Sequence, residues 1–171
     1  MDLEERLSAE HSKSLTTAIV NYIGDDKKRF KALMGIFLKG EYRLTQRAAW
    51  PLSYVAIAHP KLVAPYMGQL IKKLTEPGNH PAIARNILRT FLDIEIPEKY
   101  HGVLIDVCFK FIISESYPAA IRAFAIGTAT KICIQYPELK NELLLVINEL
   151  SQLPQPPAIK SRTRAALKIL K

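Results

Sequence analysis

The chain has 171 residues, of which 49% are hydrophobic and 23% charged, and its formal net charge is +8. This composition is typical of one globular domain, and no apolar run approaches the ~20 residues that a membrane-spanning helix needs. The first residues include Asp2, Glu4 and Glu5, where a signal peptide would be basic, so we expect a cytoplasmic protein. The basic balance favours an anionic partner without requiring one.

Apolar residues at helical intervals predict helices along the whole chain, and no strand pattern competes with them. Pro51 lies inside one predicted helix, and Pro81 begins another. In chain order the predicted helices are 3–23, 27–38, the helix with Arg47 that runs to about 58, 63–74, the helix with Arg85 that begins at 81, 102–113, 119–136, 138–150 and 158–171.

Two independent markers repeat along the chain with nearly one period. Arginines followed by small or apolar residues recur every 37 to 42 residues, and prolines between them recur every 37 to 40. Since each marker falls between helical patterns, the repeat unit is a pair of helices. The arginine markers are Arg47, Arg85, Arg122 and Arg164, and the proline markers are Pro60, Pro97 and Pro137.

The repeat predicts an all-α fold, a stacked array in a single domain over 1–171. The segment 1–25 is interpreted as an N-terminal capping helix. Four helix-pair repeats then follow, at 27–60, 61–97, 98–137 and 138–171.

The start of each second helix resembles the corresponding part of HEAT repeats, where an apolar residue, an arginine and small residues follow one another. The resemblance covers about residues 27–171. It implies a right-handed α-α superhelix, or solenoid, of about four helix pairs, with the second helices lining the concave side. The segments that carry it are Thr45–Trp50, Ala82–Leu88 and Ala119–Ala125.

Two hypotheses account for the repeated arginines. In the structural one, each guanidinium binds carbonyls or a carboxylate of the preceding turn, with Glu41, Glu76 and Glu115 as candidate partners. In the functional one, a basic series faces outward along the concave groove and binds a partner. The candidate binding residues are Arg47, Arg85, Arg89, Arg122, Lys131, Arg162, Arg164 and Lys168.

The leading functional hypothesis is a non-enzymatic scaffold that binds a protein or peptide on its concave face. The alternative is a DNA- or RNA-binding protein with a basic groove, although no aromatic ladder interleaves with the charges. No catalytic motif is present. A HEAT-like alkylpurine DNA glycosylase, which in that family uses a carboxylate beside aromatics, is the third alternative, with Asp93 or Asp106 beside Trp50 and Tyr54.

Neither the cysteines nor the histidines form a metal-ligand pattern. Cys108 and Cys133 lie singly in apolar stretches, and the four histidines are scattered. Zinc ligands come from within one or two turns or from facing loops. We therefore expect two reduced core cysteines and neither a metal nor a cofactor, and the sequence indicates no particular oligomeric state.

Overall fold

The computed structural model describes residues 1–171, and every regular element in it is helical. The predicted all-α class, built from successive helix pairs, is confirmed. The chain divides into two compact units, Met1–Glu95 and Ile96–Lys171. The grouping of 1–171 into one domain with four repeat boundaries stays a prediction. None of the helices combines the length and the apolar character needed to cross a bilayer.

The first unit is organised around α4, which packs against α3 before it, against α2 and against α7. Helix α6 packs against α7, so α3–α4 and α6–α7 are two helix pairs whose second helices lie side by side. Helix α2 is a third neighbour in that row. The helices are α1 (Leu3–Ala9), α2 (Lys13–Ile23), α3 (Lys27–Lys39), α4 (Tyr42–Ala58), α5 (Pro60–Val63), α6 (Met67–Leu74) and α7 (Pro81–Asp93), with a 3-10 turn at Ala64–Tyr66.

The N-terminal segment is two helices, so the prediction of one helix over 3–23 is wrong. Glu10 is extended, with φ −141° and ψ 151°, and it ends α1. Ser12 then caps α2, because its Oγ accepts a hydrogen bond from the Leu15 N–H at 3.0 Å. A serine in this position satisfies one of the free N–H groups at a helix start and so favours a new helix.

Prolines begin helices where the chain turns back. Pro81 is the first residue of α7, as expected, because a first-turn proline loses no intrahelical hydrogen bond. His80 caps that helix through Nδ1, which accepts from the Ala82 N–H at 3.1 Å. Pro60 ends α4 and also starts α5.

The core of the first unit is aromatic and aliphatic. Phe30, Phe37 and Phe91 are among its largest fully buried side chains. Each buried aromatic removes about 150–250 Å² from water and so dominates the local energetics. Phe30 and Phe37 belong to α3 and Phe91 to α7, so their burial contributes to the packing of these two helices in the unit.

The second unit consists of two helix pairs and a short 3-10 turn at Glu98–Tyr100. Helix α8 packs against α9, α10 packs against α11, and α9 packs against α11, so here too the second helices lie side by side. The helices are α8 (His101–Ile113), α9 (Ala119–Cys133), α10 (Pro137–Gln152) and α11 (Pro157–Leu170).

Both cysteines are buried in the second unit and form no disulfide, as expected. Burial raises the pKa of the Cys133 thiol to about 11 and also raises the pKa of Cys108. Both side chains therefore stay protonated at neutral pH and act as small apolar core residues.

Candidate binding surface

Arg122 is a buried structural residue. Its side chain is 5% exposed, and Nε and Nη2 donate to the Ile112 carbonyl at 3.2 and 3.1 Å. That carbonyl lies in the last turn of α8, where carbonyls lack intrahelical donors and the helix dipole is negative. Because the guanidinium is inside the protein, Arg122 does not belong to an exposed binding surface, and we remove it from the candidate residues.

Arg47 makes a similar contact with a different helix. Its Nη1 donates to the Leu7 and Ser8 carbonyls at 2.7 and 2.8 Å, in the last turn of α1. A cation at a helix C-terminus satisfies free carbonyls and interacts favourably with the dipole. The side chain is partly buried, and this contact holds α1 against α4.

The carboxylates proposed as partners of the arginines do not bind them. Glu76 forms its ion pair with Lys73, at 2.7 Å from Nζ to Oε2. Neither Glu41 nor Glu115 forms a salt bridge with any residue. The carboxylate form of the structural hypothesis is therefore wrong, whereas the carbonyl form describes Arg122.

The two candidate arginines of α7 lie at the surface. Arg85 is exposed and forms no hydrogen bond or salt bridge. Arg89 is partly buried and places its guanidinium carbon 4.3 Å from the centroid of the Tyr54 ring. A cation over an aromatic face contributes about 0.5–1 kcal/mol at an exposed site. Arg89 is therefore held against the Tyr54 ring while its side chain remains partly exposed.

The remaining candidates lie in the second unit. Lys131 on α9 and Arg162 on α11 are partly buried, while Arg164 and Lys168 on α11 are exposed. The Arg164 Nε donates to the Lys160 carbonyl of its own helix at 3.4 Å, a long hydrogen bond. Arg162, Arg164 and Lys168 make no contact with an aromatic ring of the kind that Arg89 makes with Tyr54.

In the first unit, aromatic side chains of α4 lie beside the basic residues of α7. Trp50 and Tyr54 are four residues apart on α4 and therefore share one face of it. The His11 ring meets Trp50 edge-on, with centroids 5.7 Å apart, and Tyr54 is 38% exposed. We call this the aromatic–basic surface, and it comprises His11, Lys13, Trp50, Tyr54, Arg85 and Arg89.

The charges around this surface are positive. Partial burial lowers the pKa of His11, and nearby Arg47, Arg85 and His80 lower it further. The adjacent Arg89 guanidinium, then the Trp50 indole, lower the pKa of Tyr54 against the opposing effect of burial, and the charge of Lys13 adds to the shift. No carboxylate contributes to either shift. The surface is therefore suited to an anionic ligand.

A recess opens between α2 and α4 within this surface. Its volume is about 250 Å³, and no carboxylate lines it. The hydroxyls of Thr16 and Thr17 donate to the Ser12 and Lys13 carbonyls of their own helix, at 2.9 and 3.0 Å. The lining residues are Lys13, Thr16, Thr17, Val20, Trp50 and Tyr54.

The carboxylates considered for glycosylase chemistry are not in the recess. Asp93 is the exposed last residue of α7, and Asp106 is exposed on α8 of the other unit. A catalytic group must come within hydrogen-bond reach of the reacting atoms. The arrangement of a carboxylate beside Trp50 and Tyr54 is therefore not present in this recess.

Replacing Arg85 with alanine is expected to raise the pKa of His11, because one of the positive charges that oppose its protonation is removed. In the unaltered protein the His11 pKa should lie below the ordinary 6.5. His11 is then protonated less readily in the folded protein than in the unfolded one. The neutral imidazole therefore makes its full contribution to the free energy of unfolding above pH 6.5, and this contribution is lost as the pH falls through the pKa of the folded protein. NMR titration of the imidazole signals measures both values. Arg43→Ala, at another exposed arginine, should leave the His11 pKa unchanged, and an equal shift in both variants would contradict the assignment.

Sequence reasoning missed part of this surface. The prediction of one helix over 3–23 places His11 and Lys13 inside a continuous helix. Trp50 enters the sequence analysis only as a candidate of the glycosylase alternative, whereas the structure places it, partly buried, beside His11. The available signal was the spacing of Trp50 and Tyr54, which places both rings on one side of α4.

Comparison with known families identifies the class of protein. The sequence model of the HEAT repeat domain family matches residues 3–170, nearly the whole chain. The protein belongs to the HEAT repeat family, a class of helical repeat modules that serve as scaffolds and interaction surfaces. No curated protein and no solved structure matches the chain.

Proposed function

We propose that the protein is a non-enzymatic interaction module and that its first unit binds an acidic segment of a protein or peptide. The observation that carries the proposal is the aromatic–basic surface. It combines exposed cations, two aromatic rings and a recess with no carboxylate in its lining. Aromatic residues and arginine are enriched where proteins bind one another. Membership of the HEAT repeat family supports a scaffold role.

The geometry of the rings favours a peptide over a nucleic acid at this surface. Single-stranded nucleic acids bind by stacking bases on open aromatic faces. One face of Tyr54 is covered by the Arg89 guanidinium, and the Trp50 ring meets His11. Few free faces therefore remain for bases, whereas the cations can still bind carboxylates.

One observation supports the nucleic-acid alternative at another place. On α11, Lys160, Arg164 and Lys168 are exposed, and residues 150–171 include no Asp or Glu side chain. A single-stranded oligonucleotide tests this alternative directly. Phosphate neutralisation predicts that log affinity falls with log salt concentration at a slope of about −0.7 per phosphate contacted. An affinity for the oligonucleotide that does not change with salt concentration would exclude this alternative.

Binding of a fluorescein-labelled oligoglutamate peptide, measured by anisotropy at low salt, tests the leading proposal. We expect Arg89→Glu to weaken binding about tenfold, since it turns an attraction into a repulsion, and tenfold equals about 1.4 kcal/mol. Lys168→Glu makes the same charge reversal on α11 and should have much less effect. No binding, or equal loss in both variants, would contradict the proposed surface.

Enzyme activity is not part of the proposal, because neither Asp93 nor Asp106 lines the recess beside Trp50 and Tyr54. We propose that the protein binds its partner in the cytoplasm. Two buried, unlinked thiols are compatible with such a reducing compartment.

A further inference from the structure

The interior of the recess between α2 and α4 is apolar although two of its lining residues are threonines. The hydroxyls of both, Thr16 and Thr17, already donate to backbone carbonyls of α2. Their methyl groups, the Val20 side chain and the Trp50 ring therefore remain to meet a ligand. A polar group placed here would give up its hydrogen bonds to water without gaining new ones, which is unfavourable.

The recess has the size of a subsite and not of a cofactor pocket. Sites for drug-sized ligands usually occupy about 300–1,000 Å³. The recess measures about 250 Å³ and opens to the surface, so one branched aliphatic side chain fits it.

The rim of the recess carries cations. Lys13 lines it directly, and its aliphatic stem can cover apolar surface while the ammonium group stays in water. Arg89 covers the adjoining Tyr54 ring. A ligand that fills the recess therefore meets positive charge on both sides, and carboxylates next to its apolar group would bind there.

We infer that the recess is a specificity subsite that takes one leucine-sized side chain of an acidic segment, with flanking carboxylates held by Lys13 and Arg89. The inference rests on the proposed function and adds the chemistry of the partner: an aliphatic residue between acidic residues. The recess selects the aliphatic residue, and the cations at its rim select the charge.

The test compares two oligoglutamate peptides that differ at one central position, alanine in one and leucine in the other. Trp50 is the only tryptophan in the chain, so its fluorescence reports events at the recess. We expect the leucine peptide to bind about tenfold more tightly, because its additional methyl and methylene groups leave water. The leucine peptide should also change the Trp50 emission more than the alanine peptide does.

A blocking variant separates the subsite from a general electrostatic effect. Thr17 is exposed, so Thr17→Phe fills the recess without removing a core side chain. It should abolish the preference for leucine, so that this variant binds the two peptides with equal affinity. Ser161→Phe, at an exposed position of α11, is the matched control and should preserve the preference.

Several results would overturn the inference. Equal affinities for the two peptides, or a leucine preference that survives Thr17→Phe, would exclude the subsite while leaving the acidic-segment proposal intact. Failure of both peptides to bind would remove the proposed function as well. Tighter binding of an oligonucleotide of equal charge, weakened by Arg89→Glu and not by Lys168→Glu, would assign the surface to nucleic acid.

Discussion

Arg122→Ala is expected to lower the free energy of unfolding by about 2–4 kcal/mol, whereas Arg85→Ala should change it by less than about 0.5 kcal/mol. Each of the two arginines lies near the start of the second helix of a helix pair. Arg122 is buried and donates twice to the Ile112 carbonyl, while Arg85 is exposed and donates to nothing. Alanine at 122 removes the buried side-chain stem and leaves that carbonyl without its donor, and both changes destabilise the fold.

Chemical denaturation followed by circular dichroism measures this difference. Both variants lose one positive charge, so a general effect of net charge is the same for the two. Equal losses of stability at the two positions would contradict the assignment of Arg122 as the cap of α8.

Arg47→Ala is expected to release α1 from the first unit. Helix α1 has only seven residues, and isolated helices of this length are not stable in water. Its attachment depends on the buried Leu3 and Leu7 and on the two hydrogen bonds from Arg47 to its last turn. A hydrogen bond from a charged donor contributes about 1.5–3 kcal/mol. Loss of protection against amide exchange in α1 should therefore be about ten- to hundredfold.

Hydrogen exchange read by mass spectrometry on peptides that cover residues 1–12 measures the release of α1. Arg43→Ala is the matched control, because Arg43 is exposed on the same helix and forms no hydrogen bond or salt bridge. Unchanged protection of α1 in Arg47→Ala, or an equal loss in Arg43→Ala, would show that the apolar contacts alone hold this helix.

The order of the helices could be predicted from local signals in the sequence, such as prolines and capping residues. Pro81 marks the start of α7, because a proline in the first turn loses no intrahelical hydrogen bond. The break between α1 and α2, at Glu10 and Ser12, was harder to predict, because apolar residues occur at helical intervals on both sides of it. Only the capping preference of Ser12 marks the new start.

The destinations of the arginines could not be predicted from their spacing. Arg47 binds carbonyls that lie about 40 residues earlier in the chain, and Arg122 binds one that lies ten residues earlier. The repeat predicts the position of each arginine on its helix. The carbonyl that the guanidinium binds depends on which helix ends nearby, and that depends on the tertiary structure. Two of the candidate binding residues are therefore structural caps, while Arg85 and Arg89 remain at the surface.

Chemical-shift mapping by NMR with the leucine-containing oligoglutamate peptide tests the central claim, that the aromatic–basic surface of the first unit binds an acidic segment. The account predicts that the largest shifts fall on residues of α2, α4 and α7, with the Trp50 indole N–H among them. Resonances of α11 should move little. Largest shifts on the basic helix α11, with the Trp50 indole signal unmoved at saturation, would contradict the account.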